Sequence, residues 1–246
     1  MGSTIRLNAV TLAIVVIATL LTKTTGQSSY CSLCSDHTLC IYQGIGSACS
    51  QVMARGVDDA AQQTILKEHN THRNYVASGR ETQGAPGPQP AASNMLKLVW
   101  DTELATVAQR WADQCTSGHD TCRRVPRFSA VGQNAHQSWT TGPLQGAQWN
   151  NTVQSWYNEV NDFNKNNVNN YTFGTSHGHY SQVVWGNTHT IGCGYTAIRR
   201  SDRNYQYYVC NYGPSGNYGG QQVYSNGTSC SACTSGCDTT YNSLCA

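Results

Sequence analysis

Twelve cysteines and eight histidines offer most of the chemistry in this 246-residue chain. Two pairs, Cys31-x2-Cys34 and Cys230-x2-Cys233, have the spacing of zinc knuckles, in which thiolates approach one tetrahedral ion. Disulfide chemistry competes for the same residues, and the cysteine count is even. The stretch GHYSQVVWGNTHTIGCGY (178–195) sets His179, Trp185 and Cys193 close together. An imidazole in such a place can ligate a metal, move a proton or tie the fold together. His69 and His72 stand i, i+3 on one helix face, where a hydrogen-bonded structural role is the commoner fate. His136, His177 and His189 match no ligand-spaced pair. Ser181 follows His179 by two residues, without the G-x-S-x-G elbow of a serine hydrolase.

The compartment decides between thiolates and disulfides. Arg6 precedes an apolar run from Ala9 to Leu21, and Thr24, Thr25 and Gly26 offer small residues for cleavage. That run is too short for a bilayer, which takes about 20 residues, and has the layout of a secretory signal. Residues 1–26 are therefore read as an export signal, with the mature chain starting near Gln27 and holding no membrane span. In an oxidising route the cysteines are expected as six disulfides. Sequons at Asn150, Asn170 and Asn226 are then glycosylation acceptors, and surface positions. From residue 27 onwards the chain has 13 basic and 13 acidic residues, so nothing in its overall charge favours nucleic acid or an anionic membrane. RRVPR (123–127) is the one basic patch, equally well explained as a solvated loop.

Several elements must position these groups. Residues 27–56 hold four cysteines and little apolar periodicity, and read as a stapled, loop-rich segment. A helix is predicted from Asp58 to Gly79, with Ile65, Leu66, His69, Arg73 and Val76 on one face. Glu81–Asn94, rich in Gly and Pro, reads as a long surface loop. The clearest helical period follows, with Asp101 as its cap and Leu104, Val107, Ala108, Trp111, Ala112 and Cys115 on one side. A third helix fits 150–163, placing Val153, Trp156, Tyr157, Val160 and Phe163 together, and residues 164–176 read as a loop. HTIGCGYTAIR and NYQYYVCNY, separated by RSDRN, predict an antiparallel hairpin that Cys193 and Cys210 could bridge. The outline is α+β: helices against a small sheet over 57–224, followed by a cysteine-rich tail (225–246) that needs disulfides to hold it.

GHYSQVVWGNT (178–188) and YYVCNYGPSGNY (207–218) resemble the two signature motifs of the CAP superfamily, which includes cysteine-rich secretory, antigen 5 and pathogenesis-related proteins. ILKEHNTHR, PGPQP, LVWDTELATVAQRWADQC, GHDTCR and VGQN are similar to the insect venom allergen 5 (antigen 5) branch, and the likeness spans roughly 30–224. The resemblance implies a three-layer α-β-α sandwich around an antiparallel sheet, with a large surface cleft. It also implies the pairings Cys31–Cys40, Cys34–Cys122, Cys49–Cys115 and Cys193–Cys210. The tail looks like the hinge of cysteine-rich secretory proteins, implying Cys230–Cys237 and Cys233–Cys245.

By the same resemblance the cleft carries a tetrad that falls on His119, Gln133, Glu159 and His179. Much of the superfamily has Glu where this chain has Gln133. His119, His179 and Glu159 could supply three zinc ligands. Gln133 cannot ionise, so a metal-bound Glu159 would leave no tetrad carboxylate to move a proton. The expectation is a secreted, non-enzymatic, monomeric protein that requires no cofactor, of venom, saliva or body fluid, with the potential to be an allergen. It would act by binding a small apolar ligand, such as a sterol or fatty acid, or an extracellular protein. A loop carrying Trp139 and Trp149 is a candidate lining for such a site. The alternatives are a metal-dependent hydrolase or protease, and a toxin acting on ion channels or haemostasis.

Overall fold

The computed structural model describes residues 25–246, so all but the last two positions of the expected export signal lie outside the described residues. The order is α1 (Thr25–Leu33), α2 (Thr38–Ile41), β1 (Val52–Arg55), α3 (Asp59–Ala77), β2 (Val99–Trp100), α4 (Thr102–Ala112), β3 (Gly132–Thr140), α5 (Trp149–Tyr157), α6 (Gly178–Val183), β4 (Thr190–Arg200) and β5 (Arg203–Gly213). Among the described residues, no helix is long and apolar enough to cross a membrane. All twelve cysteines are bridged: Cys31–Cys40, Cys34–Cys122, Cys49–Cys115, Cys193–Cys210, Cys230–Cys237 and Cys233–Cys245.

The β4–β5 hairpin is the centre of the sheet, whose order is β1-β4-β5-β3, with β2 adding a short parallel pairing to β4. Alternation along these strands builds three layers. Ile191, Cys193, Tyr195 and Ala197 of β4, with Tyr208, Cys210 and Tyr212 of β5, share a core with Ile65 and Val76 of α3, Trp156 of α5 and Tyr180 of α6. The opposite face meets α4, where Ala108, Trp111 and Ala112 pack on Val209. The strand glycines permit this approach. A Cβ on Gly192 would stand 2.1 Å from Ala105 N, and one on Gly194 2.3 Å from Gln109 Cα. The helix backbone lies directly on the strand.

Helix α3 is held from within. Arg73, fully buried, donates to the carbonyls of Leu96, Val183, Trp185, Gly186 and Thr188. It thereby ties the chain between α6 and β4 to α3. Burial lowers its pKa to about 9. His69 bridges Ile65 O at 2.8 Å and the Tyr212 hydroxyl at 2.9 Å.

Several expectations need correction. The segment 27–56 is not merely loop: it carries α1, α2 and β1, because β4 supplies β1 with a partner and the His37 side chain caps α2. The loop 81–94 is not wholly at the surface; Glu81 and Gln89 are buried, Glu81 accepting from the Tyr157 hydroxyl and from Gln83 N. Three arginines of RRVPR are held by specific partners: Arg123 by Asp120, Arg124 by Leu33 O and Arg127 by Asp101. Trp139 and Trp149 line no common site, since Trp139 is 53% exposed and Trp149 lies in the core at 2%. The tail packs on the body rather than hanging from it. Leu244 is buried, Lys97 pairs with Asp238, and Cys245 N donates to Met95 O at 2.8 Å.

Candidate functional site

Strand β3 lies at the sheet edge, and its alternation sends side chains to both faces. Gln133 sits opposite Asn211, on the α4 side, and Asn134 opposite Cys210, on the side of α3 and α5. The four tetrad residues form two hydrogen-bonded pairs around this strand.

One pair is His179 and Glu159. Glu159 lies in the 3₁₀ turn (Asn158–Asp162) that continues α5, and His179 in the first turn of α6. Glu159 Oε1 accepts from His179 Nδ1 at 2.7 Å, while Oε2 accepts from His179 N at 2.8 Å and Tyr180 N at 3.1 Å. The carboxylate thus satisfies two backbone donors that a helix start leaves free. It also fixes the imidazole tautomer, with the proton on Nδ1 and a lone pair on Nε2. Trp156 stacks on the ring at 6.0 Å between centroids, and Asn134 Nδ2 donates to His179 O at 3.1 Å.

The other pair is His119 and Gln133. His119 Nδ1 lies 2.7 Å from Gln133 Oε1 and donates to it. Gln133 is held by its own donors, Nε2 reaching Asp120 Oδ1 and Asn211 Oδ1, each at 3.0 Å. Its orientation is therefore forced, and His119 also keeps a lone pair on Nε2. Desolvation lowers the His119 pKa; the Gln133 hydrogen bond opposes this, and the charge of Arg123 reinforces it. Burial likewise lowers the His136 pKa.

Asp120, Asn211, Asn134 and His136 complete the site, and the sequence reading did not single them out as site residues. Asp120 follows His119 directly, which is the one available signal; the others arrive through β-sheet register. Asp120 is engaged on every side, by Arg123 at 2.5 Å, by Gln133 and by the Thr38 hydroxyl.

In both imidazoles Nδ1 is anchored, the kind of hydrogen bond that orients a ligand histidine. Glu159 is placed behind His179, as its hydrogen-bond acceptor, rather than beside it as a further ligand. Among the described residues, the one group of three ligand atoms within 4.8 Å of one another is Cys34, Asp36 and Cys122, whose sulfurs are joined in a disulfide. No C-x2-C pair is available as thiolates, because each of those cysteines is bridged elsewhere.

The profile of the cysteine-rich secretory protein (CAP) family matches residues 66–212. Venom allergen 3 homolog of Dinoponera quadriceps is 46% identical over 208 residues, 80% of this chain and 89% of that protein. Venom allergen 5 of Rhynchium brunneum is 45% identical over 222 residues, covering 85% and 94%. Among solved structures, one described as NaASP2 with Zn2+ superposes with a TM-score of 0.65 at 29% identity, covering 78% of this chain and 97% of that one. With the matched profile, these relatives and the shared sandwich, the chain belongs to the cysteine-rich secretory protein (CAP) family.

Proposed function

We propose that this is an exported, disulfide-locked binding protein of body fluid, saliva or venom, whose cleft holds a ligand rather than turning over a substrate. The observation that carries this reading is the state of the tetrad's acid. Glu159 accepts three hydrogen bonds from the start of α6, and its opposite number is the non-ionising Gln133. A general base needs a free, suitably placed lone pair near its water, and Glu159 is committed to structure. Zinc is the metal expected at His119 and His179 through their Nε2 atoms, as a Lewis acid able to hold an anionic or carbonyl oxygen. The related NaASP2 chain has been crystallised with Zn2+, which supports that choice.

A small amphipathic ligand, such as a sterol or fatty acid, is supported by a pocket of 440 Å³ that sets Ala54, Val57, Ala61, Ala147 and Tyr195 beside the charged Arg55 and Asp58. That volume lies in the ordinary range of ligand pockets. Export is supported by the twelve paired cysteines and by sequon residues Asn150, Asn170 and Asn226, all exposed. The test combines zinc calorimetry with binding of labelled cholesterol and palmitate to the mature protein. Saturable zinc binding that His119→Ala and His179→Ala each abolish, with saturable uptake of one apolar ligand, is the expected result. Hydrolysis of a peptide or ester that disappears in Glu159→Gln would overturn the reading.

A further inference from the structure

The tip of the β4–β5 hairpin carries a cluster that neither the cleft nor the core uses. Residues 199–203 read RRSDR, three arginines against one aspartate, so RRVPR is not the one basic patch of this chain, which is balanced in charge from residue 27 onwards. Among the described residues, none of Arg199, Arg200, Arg203 and Asp202 belongs to an ion pair. Arg200 and Arg203 are cross-strand partners, and Trp139 of β3 is the partner of Tyr205. Because side chains repeat every second residue, Arg200, Arg203, Tyr205 and Trp139 stand on one face of the sheet. It is the α4 face; beyond the end of α4 at Ala112 the Cys49–Cys115 bridge packs on Ile198 and Tyr207, and Arg200 and Trp139 stay exposed at the tip.

The arrangement is ordered rather than a loose solvated run. The Arg203 guanidinium lies 3.9 Å from the centre of the Trp139 ring, and that of Arg200 lies 5.3 Å from the Tyr205 ring. Arg200 is further fixed by a 2.8 Å hydrogen bond to Ala48 O, and Arg199 by bonds to Ser201 O and Asn204 Oδ1. Stacking orients the guanidinium planes, and a guanidinium so held can grip the oxygens of a sulfate through its remaining N–H groups. Trp139 remains 53% exposed despite Arg203, so aromatic surface stays open for the C–H face of a sugar ring. On the same face, exposed Gln137 borders a hollow of 180 Å³ that Thr116, Ser117 and Tyr207 also line.

We propose that this face is a binding surface for a sulfated polysaccharide, with Arg200 and Arg203 on sulfates and Trp139 under a sugar ring. The charge complementarity is local, because outside 199–203 the chain from residue 27 onwards has 10 basic and 12 acidic residues and does not supply it. A flat patch with one exposed tryptophan lacks the apolar depth of a membrane-inserting surface, which favours the glycan over anionic lipid.

The test uses the mature full chain on immobilised heparin, eluted with sodium chloride, and fluorescence titration with heparin oligosaccharides. Wild type is expected to bind and to elute at raised salt. The double variant Arg200→Ser/Arg203→Ser should bind about tenfold more weakly, from two lost exposed charge contacts. Trp139→Ala, at an exposed position that does not endanger folding, should also weaken binding and remove the fluorescence response. Arg124→Ser, in the other arginine-rich stretch, should leave elution unchanged. Flow-through of the wild type, equal elution of the double variant, or an equal shift in Arg124→Ser would overturn the proposal. So would binding to phosphatidylserine vesicles with none to heparin.

Discussion

Replacing Glu159 by Gln probes how the cleft is held together. The carboxylate accepts at 2.7, 2.8 and 3.1 Å from His179 Nδ1, His179 N and Tyr180 N. A carboxamide of the same shape has a single acceptor oxygen. If that oxygen keeps the two backbone N–H groups, the amide NH2 faces His179 Nδ1, and the ring must move its proton to Nε2. Three charge-assisted bonds become neutral ones, at about 1 kcal/mol each before screening. The side chains of His179 and Glu159 are 32% and 20% exposed, and screening brings the expected total to about 2 kcal/mol. For a domain of this size that is a fall of about 4–8 °C in Tm. The tautomer change has a separate consequence, because a protonated Nε2 has no lone pair for a metal. Zinc affinity is expected to fall about 10–100-fold. Urea unfolding reads the first effect and calorimetry with zinc chloride the second. A variant as stable as wild type, or one with unchanged zinc affinity, would refute the tautomer argument.

Acid should destabilise the protein through two buried histidines. Burial lowers His69 to about 3 and His72 to about 4, below the unfolded value near 6.5. The unfolded chain therefore takes up protons first. Stability is intact above pH ~6.5 and is lost as pH falls towards 4, by up to about 1.4 kcal/mol per pH unit for each histidine. His72→Phe keeps the 4.0 Å stack on Tyr157 and removes an unpartnered Nε2, so its urea midpoints should fall less steeply over that range. Gly194→Ala drives a Cβ into the α4 backbone at Gln109 and should cost about 3 kcal/mol in urea unfolding, where a neutral result would contradict the packing. Arg73→Met removes hydrogen bonds to five carbonyls, of which, among the described residues, only those of Trp185 and Gly186 have a backbone donor besides, and should cost about 3–5 kcal/mol, seen as a lower Tm with loss of near-ultraviolet dichroism.

The elements that read clearly are those whose own periodicity meets a core. Every position named on the apolar face of α4, from Leu104 to Ala112, is buried, as is Cys115 beyond the helix end, and RSDRN marks the turn where Ser201 takes a φ of 55°. The strands that went unread are those with no signal of their own. β1 is four residues long, β2 is two, and β3 (GQNAHQSWT) is largely polar because it lies at the sheet edge. Such strands exist because a neighbour offers a ladder, and local sequence carries no record of the neighbour.

Residue type alone determined that the cleft's second acid is absent, since Gln133 has no ionisable group in any fold. The motifs supplied the four tetrad positions and their order. Only the tertiary structure decided their roles. Glu159 became an acceptor behind His179 because the turn after α5 ends against the backbone N–H groups of α6, a contact between segments twenty residues apart. Gln133 acquired a fixed orientation because β3 pairs with β5 and brings Asn211 beside it. Hydrogen-bond direction depends on which donors surround an oxygen, and those donors are assembled only when distant segments pack.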